Sequence, residues 1–236
     1  MQPVVMLLCD GRFPSGSYAY SAGMEHSVSW GDVADIATVR EHLAGRLSTT
    51  GIMAAQVVAA ASKLAAAPAP QRAAGLDALD TAVDARLAPA AARDTSREQA
   101  RRWLRAASAT WPEALRTAGD LLAGRHFWVV LGFATAALGI EPQDAAWAAI
   151  YDLASTPLWA ASRLLGLDPF ESAHVLAGAL AHIAVEIHAV AREAVLAAEP
   201  LGNGIAGTEW ISSIVAPLSD LAAQAHLERE ERLFAS

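Results

Sequence analysis

Apolar residues recur every three or four positions along most of this chain, and no stretch alternates strictly between apolar and polar. That period predicts helices and no paired strands. A short helix is expected over residues 21–30, stopped at Gly31, with a turn and cap at Asp32-Val33-Ala34-Asp35. A longer periodic stretch covers 38–66, carrying Val39, Leu43, Leu47, Ile52 and Val57, with a break expected near Thr49-Thr50-Gly51. Glycine in a helix interior costs about 1 kcal/mol relative to alanine. Pro68 and Pro70 separate this from a helix over 71–87, with Leu76, Leu79, Val83 and Leu87 inward and Asp77, Asp80 and Asp84 on a solvated face.

Thr95-Ser96-Arg97-Glu98 has the spacing of a capping box, and so predicts a helix start there. Trp111-Pro112 begins another short piece, stopped at Gly124. Residues 126–138 form an apolar helix ended by Gly139, and 143–165 a helix kinked at Pro157. Asp168-Pro169-Phe170-Glu171 combines a cap residue, proline at the first helical position and a carboxylate two residues on, and opens a helix to about Ala198. A turn at 199–204 leads to a last helix over 208–226, kinked by Pro217, and to a charged tail over 227–236. The expected fold is all-α: a single-domain bundle over 1–236 of roughly eight to ten helices, some kinked at proline or glycine.

Composition adds what it excludes. The chain has 236 residues, 54% hydrophobic and 18% charged, which suits a large core. Its net charge of −8 disfavours nucleic acid, because neutralising phosphates needs clustered cations. The single cysteine, Cys9, allows no internal disulfide and fits a reducing, cytoplasmic setting. The longest apolar run, 127–140, is shorter than the ~20 residues a membrane span needs, so no membrane segment is expected.

The least ordinary stretch is Phe13-Pro14-Ser15-Gly16-Ser17-Tyr18-Ala19-Tyr20-Ser21-Ala22-Gly23-Met24-Glu25, a polar and aromatic loop on an alanine-rich scaffold. Such loops are where binding residues concentrate. Its glycines stand at phosphate-loop spacing, but Ser17 occupies the position a phosphate-binding lysine would need. Ala19-Tyr20-Ser21-Ala22-Gly23 lacks one glycine of a nucleophile elbow, and the chain offers no sheet to carry one. His182, Glu186 and His188 are the nearest approach to a metal set, the first two sharing a helix face. They define an alternative, a helical metal-dependent enzyme; an unrelated helical interaction protein is a third reading. His42, His126 and His174 stand alone, and Trp103, Trp128, Trp147 and Trp159 read as packing. In the tail, Arg232 followed by Leu233 and Phe234 makes an interface anchor.

Phe13-Pro14-x-Gly16-Ser17-Tyr18-x-x-Ser21-x-Gly23-x-Glu25 resembles the N-terminal signature of the urease accessory protein UreF family, and Arg232-Leu233-Phe234-x-Ser236 resembles its terminal motif. Thr38-Val39-Arg40-Glu41-His42-Leu43, the 96–104 stretch and Gly132-Phe133-Ala134 with Gly139-Ile140 are similar to further segments of that family, in the same order. The resemblance implies an all-α homodimer without catalytic activity or cofactor. It implies partners UreD (UreH in some systems), the GTPase UreG and, through them, apo-urease, to which the assembly delivers nickel. Partner-binding residues implied are Gly16, Ser17, Tyr18, Ser21, Glu25, Arg232, Leu233 and Phe234, with the tail ordering against the opening loop when UreD binds. Tyr20 departs from the family, where many members carry histidine. The chain also lacks the Cys-Pro-His nickel motif found in UreG proteins.

Overall fold

The computed structural model describes residues 3–15, 20–204 and 207–213. Among them the chain forms ten α-helices and no strand, an all-α bundle as the periodicity predicts. They are α1 (Pro3–Leu8), α2 (Met24–Trp30), α3 (Ile36–Arg46), α4 (Ile52–Leu64), α5 (Ala69–Arg86), α6 (Ala90–Thr110), α7 (Ala118–Leu122), α8 (Phe127–Ala137), α9 (Pro142–Leu165) and α10 (Pro169–Leu201).

The centre is α4. Every residue from Ile52 to Leu64 is buried except Lys63. A helix apolar on all sides has nowhere to go but the middle of a bundle. It packs against α8, α9 and α10. Five alanines and two valines over 54–61 keep its girth small, so neighbouring helices approach closely. The closest approach is at Gly132 of α8, where an added Cβ would lie 2.3 Å from the Val58 carbonyl oxygen and 2.8 Å from the Ala61 Cβ. α8 is itself buried from Phe127 through Thr135.

The expected break in the second long stretch is a π-helical turn, Leu47–Gly51, joining α3 to α4 without a loop. Ser48 and Thr49 contribute to it, donating their hydroxyls back to carbonyls of Ala44 and Gly45 at 2.9 and 2.8 Å. α3 starts where Asp35 accepts from the Thr38 N–H at 2.9 Å and the Asp35 N–H donates to the Thr38 hydroxyl at 3.1 Å. α10 starts at Asp168, whose carboxylate accepts from the Phe170 N–H at 2.7 Å. It runs through Pro200 to Leu201, three residues beyond the expected end.

Several expectations give way to longer-range contacts. Thr95-Ser96-Arg97-Glu98 starts no helix, because α6 has already begun after Pro89 and the alanines of 90–92 carry it forward. Ser96 instead caps another helix: its hydroxyl oxygen accepts from the Phe127 N–H at 3.1 Å, at the first turn of α8. Asp80 of α5 takes the neighbouring N–H of His126 at 2.7 Å. Two of the orphan donors at the start of α8 are thus satisfied by two other helices. The aspartates of α5 thus lie on a face that is exposed at Asp77 and part-exposed at Asp84, and that carries ion pairs as well. Asp77 pairs with Arg125 at 2.7 Å, Asp80 with Arg97 at 3.4 Å and Asp84 with Arg97 at 2.6 Å. Arg97 also donates to the Gly124 carbonyl. His126 does not stand alone either. It is fully buried between the Ser96 hydroxyl (Nδ1, 3.1 Å) and Asp84 (Nε2, 3.2 Å).

Other differences are local. Residues 3–8 form a helix that was not expected, and α2 begins at Met24, three residues late. Residues 111–117 are turns, so the short helix begins only at Ala118. Residues 207–213 are turn and coil, so no helix starts at Thr208; the rest of that expected helix and the tail lie outside the described residues. The segment 207–213 is tied down by hydrogen bonds: Gln56 bonds both to Trp210 and to Ser212, and Arg86 donates to the carbonyls of Thr208, Ile211 and Ser212. Of the four tryptophans read as packing, Trp103 and Trp128 are buried, Trp147 is half-buried and Trp159 is exposed.

The Gly132 contact gives a direct test of the central packing. Gly132→Ala is expected to lower unfolding free energy by about 2 kcal/mol, the scale of overpacking, despite alanine's higher helix propensity. Urea denaturation measures it; an unchanged or raised midpoint would show that α8 and α4 can move apart freely.

Candidate functional site

The opening loop is fastened at both ends of the stretch that carries its candidate residues. On the near side, Asp10 makes a compact hook with Arg12, accepting from its backbone N–H at 2.9 Å and its guanidinium at 2.8 and 3.0 Å. That pairing holds the Asp10 carboxyl down at about 2. Next to it Phe13 is buried against two tryptophans, with ring centroids 6.2 Å from Trp103 and 6.0 Å from Trp111. Trp103 in turn meets the edge of Phe127, so the loop rests on the base of α8 through α6. Aromatic contacts of this kind contribute about 0.5–1.5 kcal/mol each beyond area burial.

On the far side the chain returns through Tyr20, which is buried with the Arg102 guanidinium 5.7 Å from its ring centre. Ala22 and Gly23 follow with positive φ angles of 52° and 87°. Two successive left-handed residues turn the backbone sharply into α2, and an alanine there stores strain that glycine would not. Ser21 and Glu25, two of the candidate partner-binding residues, are buried, as is His26, which lies 4.0 Å from the ring of exposed Trp30. The hydroxyls of Tyr20 and Ser21 have no hydrogen-bond partner among the described residues. Leaving a buried polar group unpaired costs about 1–3 kcal/mol. Gly16, Ser17 and Tyr18, and Arg232, Leu233 and Phe234 of the terminal motif, lie outside the described residues.

Behind Tyr20 is a cavity of about 150 Å³ between α6, α9, the π-turn and the start of α8, lined by Arg46, Thr50, Gln99, Trp128, Asp152 and Thr156 among others. A smaller one of about 70 Å³ lies on the other side of the same residues, reaching Cys9, Tyr151 and Trp159. Tyr20, Asp152 and Thr156 line both. Asp152 accepts from the Gln99 amide at 3.3 Å and from the Thr156 hydroxyl at 3.4 Å. Loss of water pushes its carboxyl up, an effect these bonds and the Arg46 charge only partly offset. Burial, helped by the Asp152 charge, pushes the Cys9 thiol up to about 11 and leaves it a poor nucleophile or metal ligand at neutral pH.

None of the other candidates converges on this region. His182 and Glu186 are exposed on α10, and His188 is taken up by Trp147, whose indole N–H donates to its Nε2 at 3.4 Å. Among the described residues no three of His, Cys, Asp and Glu are grouped to hold a metal ion. Arg102, Gln99, Asp152 and Trp30 were not singled out by the sequence pattern. Each sits on a regular helix, and only the fold brings the first three beside Tyr20.

Near this region His42 carries a measurable signature. Burial and the Arg46 charge hold its imidazole at about 4 rather than the ordinary 6.5. The unfolded chain binds that proton below 6.5, while the folded chain refuses it until about 4, so stability present above pH 6.5 is lost on acidification. Stability at pH 5 is expected to fall by roughly 2 kcal/mol relative to pH 8 from this group alone. His126, whose imidazole is also held low by burial, adds to the loss in the same direction. Urea denaturation at the two pH values should show His42→Gln reducing the difference; an undiminished difference would place the titration elsewhere.

Comparison with known proteins covers both the core and the ends of the chain. The UreF family model matches residues 33–180. A urease accessory protein UreF from Mycolicibacterium vanbaalenii is 36% identical over 235 residues, covering 98% of this chain and 97% of the relative. UreF proteins from Mycobacterium marinum and Mycobacterium tuberculosis are 34% and 32% identical, each over 99% of this chain and 98% of the relative.

Proposed function

The chain belongs to the UreF family of urease accessory proteins, and from that premise we propose that it is a non-catalytic adaptor, working as a cytoplasmic homodimer, that bridges UreD and the GTPase UreG while nickel is inserted into apo-urease. The observation that carries this reading is similarity along nearly the whole chain to proteins named as urease accessory proteins.

The physical features of the chain fit an adaptor. The opening loop is pinned at Phe13 against α6 and again at Tyr20 beside Arg102, on either side of its candidate residues. Arg102 lies over Tyr20 and Trp30 is exposed at the end of α2, and exposed aromatics and arginines are the side chains that most often dominate protein contacts. In this reading Gly16, Ser17 and Tyr18 meet the partner directly. Ser21 and Glu25, being buried, hold the base of the loop instead. The tail residues Arg232, Leu233 and Phe234 order when UreD binds. Ordering them only in the complex would couple one interface to the other by the free energy of that transition. Nickel is cargo of the assembly here, with its ligands supplied by the partners.

The test is retention of UreD and UreG from the same genome on the immobilised chain. The intact chain is expected to hold both, and failure to hold either would end the adaptor reading. Deleting Glu231 through Ser236 should leave a folded protein that no longer captures UreD. Tyr18→Ala should weaken capture by about tenfold or more, the scale of losing an interface anchor, while the melting temperature stays near that of the parent. Equal loss of fold and capture would make Tyr18 a packing residue.

A further inference from the structure

Gln56 is the one polar side chain in the first ten residues of α4, and it is buried. Burying an amide costs free energy unless its groups are bonded. Both of them are spent on the segment that follows α10. The side-chain N–H donates to the Trp210 carbonyl at 3.0 Å, and the side-chain oxygen accepts from the Ser212 N–H at 2.8 Å. Arg86, the last residue of α5, holds the same segment. Its Nε donates to the Ser212 carbonyl at 3.1 Å, and its Nη2 to the carbonyls of Thr208 and Ile211 at 3.0 Å. Arg86 makes no ion pair among the described residues. Its fork of donors is turned on backbone alone, since Nη1 donates to the Ala82 carbonyl. Five hydrogen bonds from two side chains thus clamp 208–212, and all five go to backbone groups, so they fix the path of the segment without reading its side chains.

That path has a direction. Just past α10, Gly202 lies against Gln71 near the start of α5, where an added Cβ would be 3.0 Å from the Gln71 carbonyl oxygen. Ser212 is held at Arg86, about 22 Å further along α5. Between these points the chain crosses the length of α5. It arrives at the end of the bundle that carries the opening loop. Leu87, next after Arg86, lines the cavity behind Tyr20, and so does Thr50, about 9 Å along the chain from Gln56. We infer that Gln56 and Arg86 are positioning residues for partner capture. They make the chain beyond Ser213 start beside the opening loop. Without the clamp it would be tethered only from Leu201, earlier in the chain and at the other end of α5. The effective concentration of a tethered group falls as its tether lengthens. The inference rests on the reading in which opening loop and tail meet UreD together, and it adds the side chains that bring the two within reach.

The test compares the full chain with its Gln56→Met, Arg86→Met and Arg86→Lys variants. The methionines keep most of the side-chain volume and remove the hydrogen bonds, and the lysine keeps a cationic donor without the fork. Hydrogen exchange over 207–213, the melting temperature and the affinity for UreD from the same genome are read on each. The methionine variants are expected to exchange faster over 207–213 and to bind UreD about threefold or more weakly, with melting temperatures near that of the parent. Arg86→Lys should fall between. Faster exchange with unchanged affinity would overturn the positioning role and leave the adaptor reading standing. Unchanged exchange would show that other contacts hold the segment and would overturn it as well. Affinity and melting temperature falling together would make the clamp a packing feature. A parent chain that does not bind UreD would end the adaptor reading and this inference with it.

Discussion

Burying α4 on every side is the constraint from which the rest of the fold follows. A helix that carries apolar or small residues around its whole circumference contributes its stabilisation only if other helices surround it, and α8, α9 and α10 do so. The close approach at Gly132 is the consequence on one side: α8 can come near enough to cover Val58 and Ala61 only without a side chain there. An apolar helix so deeply set cannot satisfy its own first N–H groups from water. Asp80 and Ser96 reach in from α5 and α6 to bond two of them, and their arrangement fixes where those two helices lie. The ion pairs of Asp77, Asp80 and Asp84 with Arg125 and Arg97 then complete the same junction.

Fixing α6 in this way is what positions the candidate site. Trp103 and Arg102 are consecutive on that helix. Trp103 faces the core and receives Phe13, while Arg102 lies over Tyr20. The opening loop is thus held by the same helix that caps α8. The buried hydroxyls of Tyr20 and Ser21, without a partner among the described residues, and the left-handed turn at Ala22 and Gly23 are local costs that the surrounding packing tolerates. At the opposite extreme stands α10, which gives one face to α4 and leaves the other uncovered.

The helical class, the apolar helix before Gly139, the start at Asp168 and the irregularity before Gly51 could all be read from local pattern, because each depends on residues within a turn or two of one another. What could not be read depends on partners far along the chain. Ser96 has the spacing of a local cap and serves a remote one, since the helix it would have begun had already started after Pro89. The aspartates of α5 look unpaired until Arg97 and Arg125 are placed against them. His126 looks isolated for the same reason. At the site, the loop was legible as unusual from its composition, but not the inward orientation of Ser21 and Glu25, nor the convergence of Tyr20, Gln99 and Asp152, which lie on separate elements. The exposed face of α10 was also hidden, because apolar periodicity does not reveal how much of a helix the bundle covers.

The proposed adaptor role requires this UreF-family chain for metal to reach urease rather than for urease to fold. The nickel content of urease purified from cells that express the enzyme and its other accessory proteins, with and without this chain, tests that role. Assembled urease nearly free of nickel without the chain, and loaded again when the chain is supplied, is the expected result. Urease fully loaded with nickel in its absence would rule the role out.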